Sequence, residues 1–328
     1  MTITRLARDA LPFHHFFDHG IIGSGTAILC KVPVVDAAFH EFSLNGYPHK
    51  ILHGDWFAGK GIGVCNIDFK GININVFVSH FHAEYDRSND IYVGHRVMQA
   101  LEAAQWIKLT SAGADLTIYA GDFNTEPVDT PYKLLRTVAR LRDSWLEVHD
   151  SEVGGQTCDT GYNSYSSDPG GLGKRIDYIM YRPGKGASHV KTVSSQLPLN
   201  RRIPASMSAT LGREVSYSDH EAVHSVLEMS PGGCGDSSDA KNMNSSNNSN
   251  HRRETIDKAI ELIDRAQAKT SFDQAFYSVL FLIITLAFIG TFSQLLDLDR
   301  YNKFLYDQDF SIKSIHLLAF FSSVVCLL

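Results

Sequence analysis

The sequence predicts an α+β domain, a mixed sheet sandwich with a few helices, tethered at its C-terminal end by apolar helices. Three observations lead there. Short apolar runs alternate with Gly- and Asn-rich turns from about residue 20 to 228, one segment among them has helical spacing, and the composition changes abruptly at Ser230. The runs are Thr26 to Val35, Gly61 to Ile67, Ile72 to Ser79, Leu116 to Ala120, Arg175 to Tyr181 and Glu221 to Leu227. Their lengths suit strands of a buried sheet. Between the third and fourth, Asp90 to Thr110 carries Val93, Val97, Leu101, Ala104 and Ile107 on a polar background, the pattern of one amphipathic helix. Strands with only occasional helices favour a mixed sandwich over a regular strand-helix alternation.

From Ser230, the stretch SPGGCGDSSDAKNMNSSNNSN holds almost no residue able to offset the entropy of ordering the backbone, so it reads as a linker. A charged amphipathic stretch, Glu254 to Lys269, leads into Ala275 to Phe292, which carries no charge and is close to the shortest length that crosses a bilayer. Ile315 to Leu328 resembles a second span too short to cross alone. The expected organisation is a folded domain over residues 1–229, a linker and juxtamembrane segment over 230–270, and a membrane region over 271–328, with spans near 275–292 and 315–328. Arg252, Arg253, Lys258, Arg265 and Lys269 precede the first span and outnumber Arg300, Lys303 and Lys313 beyond it. This excess puts the N-terminal domain in the cytosol, where the sequons at Asn244 and Asn247 would stay unglycosylated.

A formal net charge of −6 provides no basic field to draw the chain onto nucleic acid, and no nucleic-acid partner is expected. Cys30, Cys65, Cys158, Cys234 and Cys326 are scattered and odd in number, which suits a reducing compartment better than a disulfide framework or a cysteine metal site. Met1 to Ala10 lacks the apolar run of a secretory signal.

The chemistry-bearing residues lie at predicted strand ends. In LTIYAGDFNTEP, an apolar strand runs into Asp122, Phe123 and Asn124. An extended chain points Asp122 and Asn124 one way and Phe123 back into the core. A carboxylate and a carboxamide converging there can hold a hard cation, a water and a phosphate oxygen. In INVFVSHFHAEY, His80 shares a face with Ile74, Val76 and Val78 by period two, and His82 falls on the same face if the strand continues. Asp219 and His220 in SDHE combine an acid with an imidazole that can take a proton from water. Asp177 in KRIDYIMY is a strand carboxylate that needs a partner, for which a histidine is suited. Gly54 to Gly61 nearly matches a phosphate-binding loop, but no Ser or Thr follows Lys60, and Ile62 to Phe69 reads as a strand where such a loop needs a helix.

Taken together, GDFN, a strand-end histidine, RIDY and SDH resemble the endonuclease/exonuclease/phosphatase superfamily. FHHFFDHGIIGSGTAILCKVPV, FSLNGYPHKILHGDWFAGKGIG, SHFHAEYDRSNDIYVGHRV, ADLTIYAGDFNTEP, GKRIDYIMY and YSDHEAV narrow the resemblance to the neutral sphingomyelinases, and the paired C-terminal apolar segments to their smaller, endoplasmic-reticulum-type branch. The resemblance implies a DNase I-like two-sheet β-sandwich flanked by helices. It also implies Mg2+-dependent hydrolysis of sphingomyelin, or of a related phosphocholine lipid such as lyso-phosphatidylcholine, to a phosphocholine product at a membrane. By the same resemblance, His220 is the general base, Asp177 orients it, and Asp122 and Asn124 position the nucleophile and the phosphate. His80 serves the phosphorane or the leaving group, Asp219 joins the metal or proton-handling network, and Asp122 and Asp219 are the candidate metal ligands. Trp56 and Phe57 are candidate lipid-facing side chains. The family's opening asparagine strand and glutamate strand precede the stretch that begins at Phe13, and this chain carries neither. Glu41 and Glu84 are poor substitutes by context. A truncated form, an inactive relative, and an inositol-phosphate phosphatase or endonuclease of the same fold therefore stay open as alternatives.

Overall fold

The apolar runs at the centre of the sequence form the centre of the sheet. In a computed structural model of the chain, which describes residues 6–50, 52–149, 154–168, 170–184, 189–207, 212–230 and 246–303, the elements are β1 (Phe13–Phe16), β2 (Ala27–Cys30), β3 (Val34–Glu41), β4 (Gly61–Phe69), β5 (Ile72–His80), α1 (Val93–Thr110), β6 (Leu116–Asp122), α2 (Thr130–Val138), β7 (Arg142–Asp143), α3 (Ser144–Val148), β8 (Asp177–Pro183), β9 (His189–Gln196), β10 (Arg202–Ile203), β11 (Val215–Ser216), β12 (His224–Ser230) and α4 (Ser246–Lys303). The main sheet has the order β3-β4-β5-β6-β8-β7. Only β5 and β6 run parallel, as they must when α1 carries the chain back between them.

Side-chain alternation along β5 separates two cores. Phe77 points to one face and is fully buried with Ile62, Tyr119, Val97, Ala100, Ala104, Ile107, Leu134 and Leu135, so α1 and α2 cover that face. Val76 and Val78 point to the other and pack on Phe17, Ile28 and Cys65. Further along that face, Ile74 and Ile118 meet Tyr181, Val190, Leu227 and Met229. The antiparallel pairs β1-β2 and β9-β12 thus form a second strand layer, as a DNase I-like α+β sandwich requires.

Several expected boundaries shift. The single run from Thr26 to Val35 is two strands, β2 and β3, separated at Lys31 to Pro33; Pro33 has no N–H to continue a ladder. The run from Arg175 begins as a strand only at Asp177, and the last run begins at His224. Upstream of it Glu221 is buried in a loop, its backbone N–H donating to the Thr157 carbonyl and its carboxylate accepting from Asn163 Nδ2 at 2.8 Å. Residues 246–270, expected as linker and juxtamembrane segment, are helical within α4. Ala259 is buried against α1, with Leu262 and Ile263 beside it.

By contact the chain divides into one unit through Ala266 and another from Gln267. The second contains most of the one described helix that is long and apolar enough to cross a membrane, Asn250–Leu295. The expected second span at 315–328 lies outside the described residues.

Candidate active site

Register alone brings three of the expected residues into a row. His80 is the partner of Asp122 across the parallel β5-β6 ladder, and Asp122 is the partner of Asp177 across the antiparallel β6-β8 ladder. Neighbouring strands lie about 5 Å apart, so the last residues of β5 and β6 and the first of β8 present an imidazole and two carboxylates along one sheet end. His80 Nε2 is 3.3 Å from Asp122 Oδ2. Gly121 makes the close approach possible: its φ is 145°, and a Cβ there would run into the Ser79 carbonyl of β5.

The chain then turns through Asn124, which sits at φ 45°, a conformation asparagine tolerates better than most residues. Its backbone N–H donates to Asp122 Oδ1 at 2.8 Å, and its Nδ2 donates to the Phe81 carbonyl at 3.0 Å and to Asp122 Oδ2 at 3.2 Å. Phe123 between them is fully buried and stacks on Tyr119 and Tyr178. β6 ends at Asp122, so Asp122 and Asn124 converge through this turn and not by the strand alternation expected from the sequence, and Asn124 fixes the Asp122 carboxylate through both of its oxygens.

His220 arrives from outside the main sheet, through a bridge to Cys158, which itself bridges Lys174. Its Nδ1 lies 2.7 Å from Asp177 Oδ2. Asp177 is held in turn by its backbone N–H, which donates to the buried Thr157 hydroxyl at 3.1 Å. The bond to Asp177 raises the His220 pKa to about 11, helped by Cys158 and Asp122. Burial pushes the Asp122 carboxyl up to about 7, and the nearby Asp177 charge adds to the rise. Asp122, Asp177 and His220 each offer a ligand atom, and these atoms lie within 4.8 Å of one another. Two carboxylates crowded at a partly buried point, one with its proton affinity raised, form a donor set that a hard divalent cation would relieve of repulsion.

Not every expected residue joins this cluster. Asp219 is exposed, accepts a hydrogen bond from the Ser218 hydroxyl at 3.0 Å, and is absent from the metal-capable group among the described residues. His82 leaves the face of His80, because β5 ends at His80 and the strand alternation does not extend to His82. His82 is buried instead, stacked on Tyr92 at 3.9 Å between ring centroids, with Nδ1 2.9 Å from the Ala83 carbonyl. Glu41 pairs with His19 at the surface, and Glu84 with Arg87.

Lys60 and Asp55, in the segment that nearly matches a phosphate-binding loop, lie beneath the row. The segment is a 3-10 turn, Gly54–Ala58, followed by β4, so no phosphate-binding helix N-terminus exists there. Lys60 is 2% exposed; its Nζ donates to the Phe81 carbonyl at 2.8 Å and lies 3.2 Å from Asp55. Asp55 also accepts from the Ala83 N–H at 2.6 Å. Burial lowers the Lys60 pKa against the opposing pull of Asp55 and Asp122. His80 is lowered to about 4, first by partial desolvation and then by the Lys60 cation. A lysine before a strand carries no sequence signal of burial; the only hint was an acid five positions upstream.

The Endonuclease/Exonuclease/phosphatase family matches residues 2–220. A protein of Drosophila melanogaster named putative neutral sphingomyelinase is 40% identical over 225 residues, covering 67% of this chain and 48% of that protein. A Caenorhabditis elegans protein of the same name is 32% identical over 301 residues, covering 85% of this chain and 65% of that one. The chain thus spans about half to two thirds of the length of these relatives. Among solved structures, beta toxin from Staphylococcus aureus superposes with a TM-score of 0.52 at 18% identity, covering 68% of this chain and 80% of that one, a likeness of fold. With the strand-end row, the DNase I-like sandwich and a family match running from residue 2 through His220, this chain belongs to the endonuclease/exonuclease/phosphatase family.

Proposed function

We propose that the chain carries the catalytic groups of a Mg2+-dependent phospholipase C-type phosphodiesterase that hydrolyses sphingomyelin to ceramide and phosphocholine. The observation that carries this reading is the His220–Asp177 pair at 2.7 Å beside Asp122, together with relatives named neutral sphingomyelinase. Asp177 holds Nδ1 of His220, which leaves the other ring nitrogen for the attacking water; a divalent cation held beside Asp122 and Asp177 would offset the negative charge that raises the imidazole's proton affinity and so let that nitrogen take the proton. Asn124 holds Asp122 in place with its backbone N–H and its Nδ2, which leaves its Oδ1 to accept a hydrogen bond from the attacking water. His80, neutral at physiological pH by its lowered pKa, donates a hydrogen bond to a phosphate or leaving-group oxygen and adds no charge of its own. Asp122, flanked by Asp177 and His220, would hold the divalent cation, which supplies Lewis-acid stabilisation of the phosphate charge. Asp219 would act from the rim, on the proton-handling side.

The domain is proposed to work on the cytosolic face of the endoplasmic reticulum, held by the apolar part of α4. The decisive measurement is phosphocholine release from sphingomyelin in mixed micelles with Mg2+, against Asp122→Ala as background, with lyso-phosphatidylcholine as comparison substrate. Release above background supports the reading. A second reading, a catalytically weakened member of the family, is favoured by one observation: among the described residues no glutamate joins the Asp122 group. Release equal to background would select it.

A further inference from the structure

The catalytic row has two unlike flanks. On the Lys60 side, the loop after β1 exposes Ile21 and Ile22, whose backbone N–H groups both donate to the Phe57 carbonyl, next to the exposed Trp56. That flank is apolar. On the His220 side lies a cleft of about 250 Å³ whose lining includes Asn124 and His220 themselves together with Glu84, Tyr85, Glu126 and Asp159. That flank is charged. A phosphodiester held at His220 and Asn124 has two ester branches, one apolar and one water-soluble in a sphingolipid, and burying the charged branch against Ile21 and Ile22 would cost far more than placing it in the cleft.

We infer that this cleft is the headgroup subsite and that it is built for a quaternary ammonium; the inference rests on the phosphodiesterase reading above. Three carboxylates line it, Glu84, Glu126 and Asp159, against two cations, Arg87 and Lys174. Arg87 is in addition shared with Asp129, at 3.4 Å, while it contacts Glu84 at 2.7 Å and Glu126 at 2.9 Å. Lys174 reaches Glu84 and Asp159 only at 3.8 and 3.6 Å. The third basic group of the lining, His220, is offset by Asp177 at 2.7 Å, so negative charge is in excess in a half-enclosed space where a cation is poorly hydrated.

The aromatic side chain of the cleft is Tyr85. It is held at φ 56° and stacked on His53 with 4.1 Å between ring centroids and 12° between planes, yet it stays 47% exposed. A ring backed by a second ring and still half exposed, in a cleft also lined by carboxylates, is the arrangement that attracts a methylated ammonium, which cannot donate hydrogen bonds and binds through cation–π and Coulomb attraction. A neutral polyol headgroup would instead need donors and acceptors that Arg87, Glu84 and Glu126 already use on one another.

The test uses the full chain in detergent micelles. Saturation-transfer NMR on the N-methyl protons of phosphocholine measures binding without turnover, and inorganic phosphate is the parallel probe of the phosphate position. Glu126→Gln and, separately, Tyr85→Leu are expected to weaken phosphocholine about five- to tenfold while phosphate binding holds within twofold. The kcat/KM preference for sphingomyelin over a neutral inositol-headgroup sphingolipid should fall by the same factor, in KM. Glu228→Gln on the far strand β12 is the control. Equal weakening of phosphocholine and phosphate, a larger loss with the inositol lipid, or no phosphocholine signal in the unaltered chain would overturn the subsite. A chain that binds phosphocholine with the expected variant pattern but hydrolyses neither lipid keeps the subsite and removes the phosphodiesterase reading. If Tyr85→Leu fails to fold, Glu126→Gln decides alone.

Discussion

His80 and His82 leave the same strand two residues apart and meet opposite environments. The His80 side chain is 41% exposed at the end of the sheet, facing Asp122; that of His82 is 1% exposed among Tyr92, His95 and Asp55. The region of His80 keeps its charged groups at the surface of a groove, where they can exchange protons with water and substrate. The region of His82, with the buried Lys60–Asp55 pair, carries its polar groups as structure, and His82 Nε2 has no hydrogen-bond partner among the described residues. The comparison teaches that the chemistry stands on a polar foundation whose residues resemble catalytic ones by type and differ from them by access.

The sharpest way to separate the two regions is to remove one group from each. His220→Ala should lower kcat by about 10²–10⁴-fold, the span of general-base catalysis, with a loss of stability smaller than that of a buried pair, because His220 and Asp177 are part-exposed and water reaches the carboxylate left behind. Lys60→Ala should instead destabilise the fold by roughly 3–5 kcal/mol, since it strands the buried Asp55 carboxylate; urea unfolding measures it, and an unchanged midpoint would merge the two regions. A cation prediction follows in size. Mg2+ at about a hundred times its dissociation constant should add about 2.7 kcal/mol to the stability of the unaltered chain and almost nothing to Asp122→Asn, by thermal unfolding with and without chelator.

The smallest effect concerns pH. Burial lowers His82 to about 3 and His95 to about 4, so between roughly pH 6.5 and those values the unfolded chain binds protons that the folded chain refuses. Stability therefore falls as the pH drops through that window, by roughly 1.4 kcal/mol per pH unit for each histidine. His82→Phe, which keeps a ring against Tyr92, should remove about one proton from that slope, while His80→Gln should change it less, because the His80 side chain is 41% exposed and water screens its lowered pKa.

Much of this was legible in the chain before any fold was known. The three central strands announced themselves as apolar runs of β length, and α1 by its period. Asp122, Asn124, His80, Asp177 and His220 each stood in or at the end of a predicted strand, where an Asx turn or a structural histidine reads the same way, and it was their order along the chain that resembled one family. The elements that escaped are those whose pattern is weak. β9 reads HVKTVSSQ, polar at six of its eight positions, and β10 and β11 are two residues each, too short for any period to register. The Thr130–Val138 helix lacked a long enough repeat to stand out. His82 was ambiguous because strand phase says nothing about where a strand stops.

By itself, the sequence determined which segments bury apolar side chains, which polar residues stand at their ends, and that an uncharged helix follows a polar stretch, since periodicity and composition are local properties of a chain. Only the tertiary structure decided that His80, Asp122 and Asp177 share one row, that His220 reaches Asp177 across 43 residues, and that Lys60 is a buried cation while Asp219 faces water. Those outcomes depend on ladder register and on the packing of distant segments, which set distances and dielectric surroundings that no local pattern encodes.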